Sequence, residues 1–213
     1  PDRRDAVRRA VGWKQAVLPG EDESLTATQL RGRFEFKKRL GTGAFGEVWL
    51  AVDSVSGRRV AIKVMSLANM ERATVQREID AMRKIGRHPN IAELLAVVWV
   101  RDEPSAPPTD VALVLELASG GGLFQRLVEE GPYSEQRATQ IVRQIALAVY
   151  HLHSRGVLHR DIKPENIVFE HAGPDSPVTL RRTEPPSPAH LLLLHLRLAP
   201  VATPLRSPPG QAD

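Results

Sequence analysis

"HRDIKPEN", residues 159–166, places an aspartate, a lysine and an asparagine at positions 161, 163 and 166, directly after a long helical pattern. These residue types divide one piece of chemistry among them. Asp161 can accept a hydroxyl proton, Lys163 can neutralise a phosphoryl group in transfer, and Asn166 can offer its amide oxygen to Mg2+. A phosphoryl-transfer transition state needs positioned charge more than covalent help, so this mixture suits it. Taken alone, His-Arg-Asp is also an ordinary loop at a helix end. The surrounding sequence decides between the two.

Immediately upstream, Ser134 is a good N-cap, and apolar residues at 138, 141, 142, 145, 149 and 152 keep helical spacing until Gly156. Before that helix lie two strand patterns, "IAELLAVVWV" (91–100) and "DVALVLEL" (110–117), parted by the proline-containing loop "RDEPSAPPT". Val75, Ile79, Met82 and Ile85 predict a helix over about 70–86, stopped by "RHPN" (87–90). Further back, "FEFKKRLG" (34–41) and "GEVWLAVD" (46–53) read as strands joined by a glycine-rich turn, and "SVSG" leads into a third, "RRVAIKVM" (58–65). Val48, Leu50 and Val52 alternate with Glu47, Trp49 and Ala51, the period of a half-buried strand. Three strands, a helix, two strands and then helices make an α+β order, not alternating parallel βαβ units.

The glycine-rich turn holds Gly41, Gly43 and Gly46 in G-x-G-x-x-G spacing. Glycines there let a backbone approach a polyphosphate and aim N–H groups at its oxygens. A dinucleotide site would need a helix after the last glycine, and a strand pattern follows; a P-loop would need Lys-Ser/Thr, and Glu47 stands there. A plain hairpin turn stays open. Lys63, in "VAIK" (60–63), shares a strand face with small Ala61, where a flat ring could lie. Glu78, beside core-facing Ile79, could reach Lys63 and hold its ammonium toward phosphates, or be a solvated helix glutamate.

With "GTGAFGEV", "VAIK" and "HRDIKPEN" in this order, the sequence resembles the eukaryotic protein kinases over residues 34–170, roughly the first half of that family's catalytic domain. Lys163 resembles the serine/threonine branch. "LELASGGGLFQRL" (115–127) and "HLHSRGVLHRDIKPENIVF" (151–169) are most similar to the calcium/calmodulin-dependent group. The resemblance implies a two-lobe fold. Its N-lobe, about 33–117, has a five-stranded antiparallel sheet and one helix; the hinge is about 116–119, and the helical C-lobe begins at about 120–170. It implies ATP and Mg2+ as cofactors and a protein Ser/Thr hydroxyl as acceptor. Leu40, Val48 and Ala61 would cover adenine and Val168 would lie beneath it, with Leu115 as gatekeeper. Glu116 and Ala118 would offer hinge backbone groups. Lys63 and Glu78 would pair at the phosphates, Asp161 would be the base, Asn166 a metal ligand, and His159 and Arg160 would hold the loop.

Two positions depart from the family. Gly122 stands where related kinases often carry an acidic residue, which removes the basis for expecting basic substrates. Downstream, the family runs through a short strand to Asp-Phe-Gly, whose aspartate holds Mg2+. Neither Asp-Phe-Gly nor Ala-Pro-Glu occurs here, and Asp175 precedes any fitting strand and is not recruited. The expectation is an incomplete domain, inactive as it stands, with the apolar face of the 134–155 helix left uncovered. Two rival readings are a non-catalytic nucleotide-binding or regulatory module and an interaction protein.

The second rival would work through the tail. Residues 171–213 hold nine of the seventeen prolines, so they are expected to be disordered, with "PPSP" as a candidate P-x-x-P ligand and Ser176, Ser187, Thr203 and Ser207 as proline-directed phosphorylation sites. Residues 1–32 read as a polar arm, and the initial proline suggests a fragment or a processed start. The lack of cysteine removes disulfide and cysteine-zinc chemistry and fits a reducing, intracellular and cytoplasmic setting. The net charge of +4, with few aromatics, gives no case for a nucleic-acid surface. "LLLLHLRL" (191–198) is too short to span a membrane.

Overall fold

A computed structural model describes residues 22–43, 46–68 and 70–181. Its first half is a six-stranded sheet. The elements are β1 (Asp22–Thr26), α1 (Ala27–Arg33), β2 (Phe34–Gly43), β3 (Gly46–Asp53), β4 (Arg59–Ser66), α2 (Arg72–Ile85), β5 (Leu94–Arg101) and β6 (Asp110–Glu116), and the strand order is β1-β5-β6-β4-β3-β2. β2 to β6 form the expected antiparallel set, and β1 adds a parallel edge along β5, with Asp22 opposite Val97 and Thr26 opposite Arg101.

That edge corrects the reading of 1–32 as a polar arm. β1 is a five-residue polar segment with no hydrophobic period, and its strand exists only through pairing with β5. α1 did carry a local signal: the Thr26 hydroxyl accepts the Gln29 N–H at 3.2 Å, and the Gln29 side chain accepts the Thr26 N–H at 2.8 Å, a capping box. Arg33 at the end of α1 pairs with buried Asp53 at 3.0 Å, and Asp53 also accepts the Ser56 hydroxyl at 2.7 Å and the Val55 N–H at 3.2 Å. One carboxylate thus pins α1 and the β3–β4 turn together.

The sheet buries both faces. Leu30, Phe34, Ala51, Val60, Ile62, Val98 and Val114 pack on one side. On the other, Met65, Val97, Val111 and Leu113 meet Val75, Ile79 and Met82 of α2. The second half runs α3 (Leu123–Glu130), α4 (Glu135–Ser154), a 3-10 turn (Pro164–Asn166), β7 (Ile167–Phe169) and β8 (Val178–Leu180). Ser134 caps α4 by accepting the Arg137 N–H at 3.2 Å, and Gly156 follows at φ 66°, which closes the helix as its pattern predicts. Val142 departs from that pattern: it is 62% exposed, while Ile141, Ala148 and Leu152 face inward.

β8 lies within the stretch read as a proline-rich tail. Ile167, Val168 and Phe169 pair with Leu180, Thr179 and Val178, so the ordered unit extends beyond residue 170. Ser176 is fully buried in that hairpin, accepting the His171 N–H at 3.0 Å, and is not open to a modifying enzyme. Ser187, Thr203, Ser207 and "PPSP" lie outside the described residues. Among the described residues, no helix is long and apolar enough to cross a membrane.

Candidate active site

The β2–β3 hairpin makes the glycine loop, with Gly43 opposite Gly46, Thr42 opposite Glu47 and Gly41 opposite Val48. The three glycines are not equivalent. A Cβ on Gly46, at φ 145°, would sit 2.0 Å from the Val64 carbonyl oxygen, so this glycine is required by the close approach of β4. A Cβ on Gly41 would meet nothing within 4 Å. Register slips between Arg39 and Gly41, which makes Leu40 the extra residue of a bulge, and it is 42% exposed.

Val48 lies opposite Lys63, and Leu50 opposite Ala61. Cross-strand partners share a face, so these four residues share one side of the sheet. Ala51, the alternate residue, is the one that enters the core. On β6, Lys63 is opposite Leu113 and Ala61 opposite Leu115. Leu113 packs with Val75 and Ile79 of α2, and Leu115 lies against the same cluster. The face bearing Lys63 is therefore the face that α2 covers, and Glu78 adjoins Ile79. Lys63 and Glu78 are both buried and both engaged in interactions, as the cost of burying an unpaired charge demands.

Beyond Leu115 the chain crosses to the second half. The Glu116 N–H donates to the Glu93 carbonyl at 2.9 Å, and Ala118 follows, half-buried. Gly120 then docks on β7: its N–H donates to the Phe169 carbonyl at 2.9 Å, and a Cβ there would sit 2.1 Å from the His171 carbonyl oxygen. Gly122, the cap of α3, bridges to buried Val168. The glycine run 120–122 thus lays the crossing segment directly on the β7 floor.

Around the catalytic-loop motif, Asp161 Oδ2 receives the Lys163 ammonium at 2.8 Å and the Asn166 amide at 2.7 Å; the same amide also donates to the Asp161 carbonyl at 2.8 Å. The hydrogen bond from Lys163 is the main cause holding the Asp161 carboxyl below its usual pKa, aided by the Asn166 amide and the charge of Lys163, and opposed by partial burial. Nδ1 of His159 accepts the Asp161 N–H at 3.3 Å, so Nε2 carries the proton and donates to the Arg181 carbonyl at 2.9 Å. His159 thereby ties the loop to the backbone of Arg181. Arg160 holds φ 69°, the only positive φ outside glycine among the described residues.

Sequence reasoning missed two residues that fix this floor. Buried Arg126 donates to the carbonyls of Gly120 (2.7 and 3.0 Å), Gly173 (2.9 Å) and His171 (3.3 Å), and it lies 4.1 Å from the Phe169 ring centre. Asn90, read only as part of a helix stop, donates to the Val178 carbonyl at 2.7 Å and to Gln144 at 3.0 Å, while its own carbonyl accepts the Leu180 N–H at 2.8 Å. A separate cavity of about 380 Å³, lined by Met82, Arg83, Arg87 and the start of β5, contains none of the site residues predicted from the sequence.

The family model of the protein kinase domain matches residues 34–178. The chain is 42% identical over 139 residues to a probable myosin light chain kinase of Dictyostelium discoideum, covering 65% of this chain and 42% of that protein. It is 39% identical over 147 residues to the human calcium/calmodulin-dependent protein kinase type 1B (68% and 40%), and 35% identical over 176 residues to calcium-dependent protein kinase 24 of Oryza sativa subsp. japonica (81% and 32%). It spans about two fifths or less of the length of these relatives. The chain belongs to the protein kinase family, and its resemblance lies with the calcium/calmodulin-dependent group of serine/threonine kinases.

Proposed function

We propose that the cleft between the glycine hairpin and the catalytic loop binds ATP, and that the 213-residue chain alone does not transfer its phosphate. In this reading adenine lies between Leu40, Val48 and Ala61 above and Val168 below, against Leu115, with the backbone of Glu116 and Ala118 along its edge. Gly41, Gly43 and Gly46 bend the hairpin over the phosphates, and Lys63, held by Glu78, meets two of them. The family activity, phosphoryl transfer from ATP to a protein serine or threonine, belongs to the whole protein, where ionised Asp161 would take the hydroxyl proton and Lys163 would steady the moving charge.

The observation that carries the second half of the proposal is the sequence after β8. The family uses Mg2+ held by an aspartate and the catalytic-loop asparagine. Here the short strand ends at Leu180 and is followed by Arg181 and Arg182. The Asn166 amide nitrogen donates to Asp161 Oδ2, which leaves its amide oxygen as the ligand the motif offers to magnesium. With no Asp-Phe-Gly aspartate in the sequence to join it, magnesium would be held weakly, which supports the non-catalytic reading over the tail-based one. To test the proposal, ATP binding and phosphate incorporation would be measured on the same chain. Binding that disappears in Lys63→Met, with no incorporation, is expected; incorporation that Asp161→Asn abolishes would overturn it.

A further inference from the structure

The β7–β8 ladder does not end at Leu180. Arg181 extends it by one residue: its N–H donates to the Asn166 carbonyl at 2.8 Å, and His159 holds its carbonyl. By cross-strand pairing, Arg181 falls on the side shared by Asn166, Val168 and Thr179. That is the side on which Val168 would carry the adenine. Nη2 of the guanidinium reaches the Glu165 carbonyl at 3.3 Å, whereas its Nε is buried with no hydrogen-bond partner among the described residues. Of its five N–H donors only one on Nη2 has a partner among the described residues, so its outer nitrogens keep capacity to meet ligand oxygens.

The chemistry reverses what the family places here. Mg2+ dehydrates reluctantly and is held by one or two carboxylates together with substrate phosphates. A guanidinium repels a dication and pairs with phosphate oxygens through its planar fork. We infer that arginine replaces magnesium in this cleft, so that the chain takes metal-free ATP or ADP with Arg181 as a phosphate contact. This rests on the nucleotide-binding reading of the cleft and adds to it the state of the ligand.

The test is a titration of the full chain with a ribose-labelled fluorescent ATP, in EDTA and in excess MgCl2. Affinity in EDTA is expected to equal or exceed that in magnesium. Arg181→Met is expected to weaken binding in EDTA about tenfold or more, with Arg181→Lys recovering part of the loss. Binding that requires magnesium would overturn the inference and leave the cleft reading standing. So would an Arg181→Met chain that melts and binds like the parent. Absence of binding in both buffers would overturn both. The comparison of buffers needs no variant, so misfolding of Arg181→Met cannot blunt it.

Discussion

At the scale of single residues, the glycine motif was legible as a spacing but not as a division of roles. Sequence assigns Gly41, Gly43 and Gly46 one purpose, approach to phosphate. The 2.0 Å clearance between a Gly46 Cβ and the Val64 oxygen shows that one of them is also needed to let two strands pack. Gly46→Ala is therefore expected to lower the melting temperature of the chain, by about 2 kcal/mol or more of stability. Gly41→Ala leaves it nearly unchanged while weakening nucleotide binding; equal melting temperatures for the two variants would contradict this. Asp161 offers a second residue-scale prediction. Its pKa is lowered in the folded state, so its contribution to stability is present above the unfolded carboxylate value of about 3.9 and is lost as pH falls through the folded one. Lys163→Met removes the largest cause, and the Asp161 carboxyl carbon, followed by NMR, should titrate at higher pH. No upward movement would refute the assignment.

At the scale of elements, the long periodic pieces were readable and the short ones were not. α2, α4 and β2 to β6 each carry a repeat long enough to mark a face. β7 and β8 have three residues each, too few to show a period, and their pairing is fixed by side chains distant in sequence. Arg126, Arg137 and Gln144 serve this hairpin from two helices: Arg137 donates to the Ser176 carbonyl at 2.7 Å, and Gln144 accepts the Val178 N–H at 2.9 Å. Nothing local in "LFQRL" says that its arginine is buried. Arg126→Ala would leave the carbonyls of Gly120, His171 and Gly173 without their donor and is expected to cost about 3 kcal/mol. Arg126→Lys, lacking the planar fork, restores only part of it. Chemical denaturation of the three chains measures both effects, and an alanine variant as stable as the parent would rule out this role for Arg126.

At the scale of the molecule, the apolar face predicted for α4 is packed rather than bare, with Ile141 and Leu152 buried and Ile145 against the same core, and the exposed apolar residues lie beside it. Val142, Leu147 and Tyr150 of α4 are 62%, 48% and 74% exposed. An apolar stripe of this kind, with no described residue over it, favours self-association. The chain is expected to show concentration-dependent light scattering that the double variant Val142→Glu, Tyr150→Glu reduces without lowering the melting temperature. Scattering unchanged by both charges would locate the sticky surface elsewhere. The family was legible because three short motifs in fixed order specify one cleft. The β1 edge was not, because a polar strand becomes visible only beside the strand it joins.

Asn90 precedes β5, in the sheet-bearing half, yet it grips β8 in the other, and His88 lies against His151 of α4 with ring centres 4.8 Å apart. The two halves are therefore joined along residues 116–119 and again at the rear, where Ala92 also donates to the Leu180 carbonyl at 3.1 Å and His151 meets the Ile85 carbonyl at 2.9 Å. A body fastened at one point can swing in any direction; one fastened at two can only rock about the line between them. If the cleft takes a nucleotide as proposed, its opening is expected to be a rocking about that line. In that motion the glycine hairpin would travel through the widest arc, while the clasp behind stays nearly still.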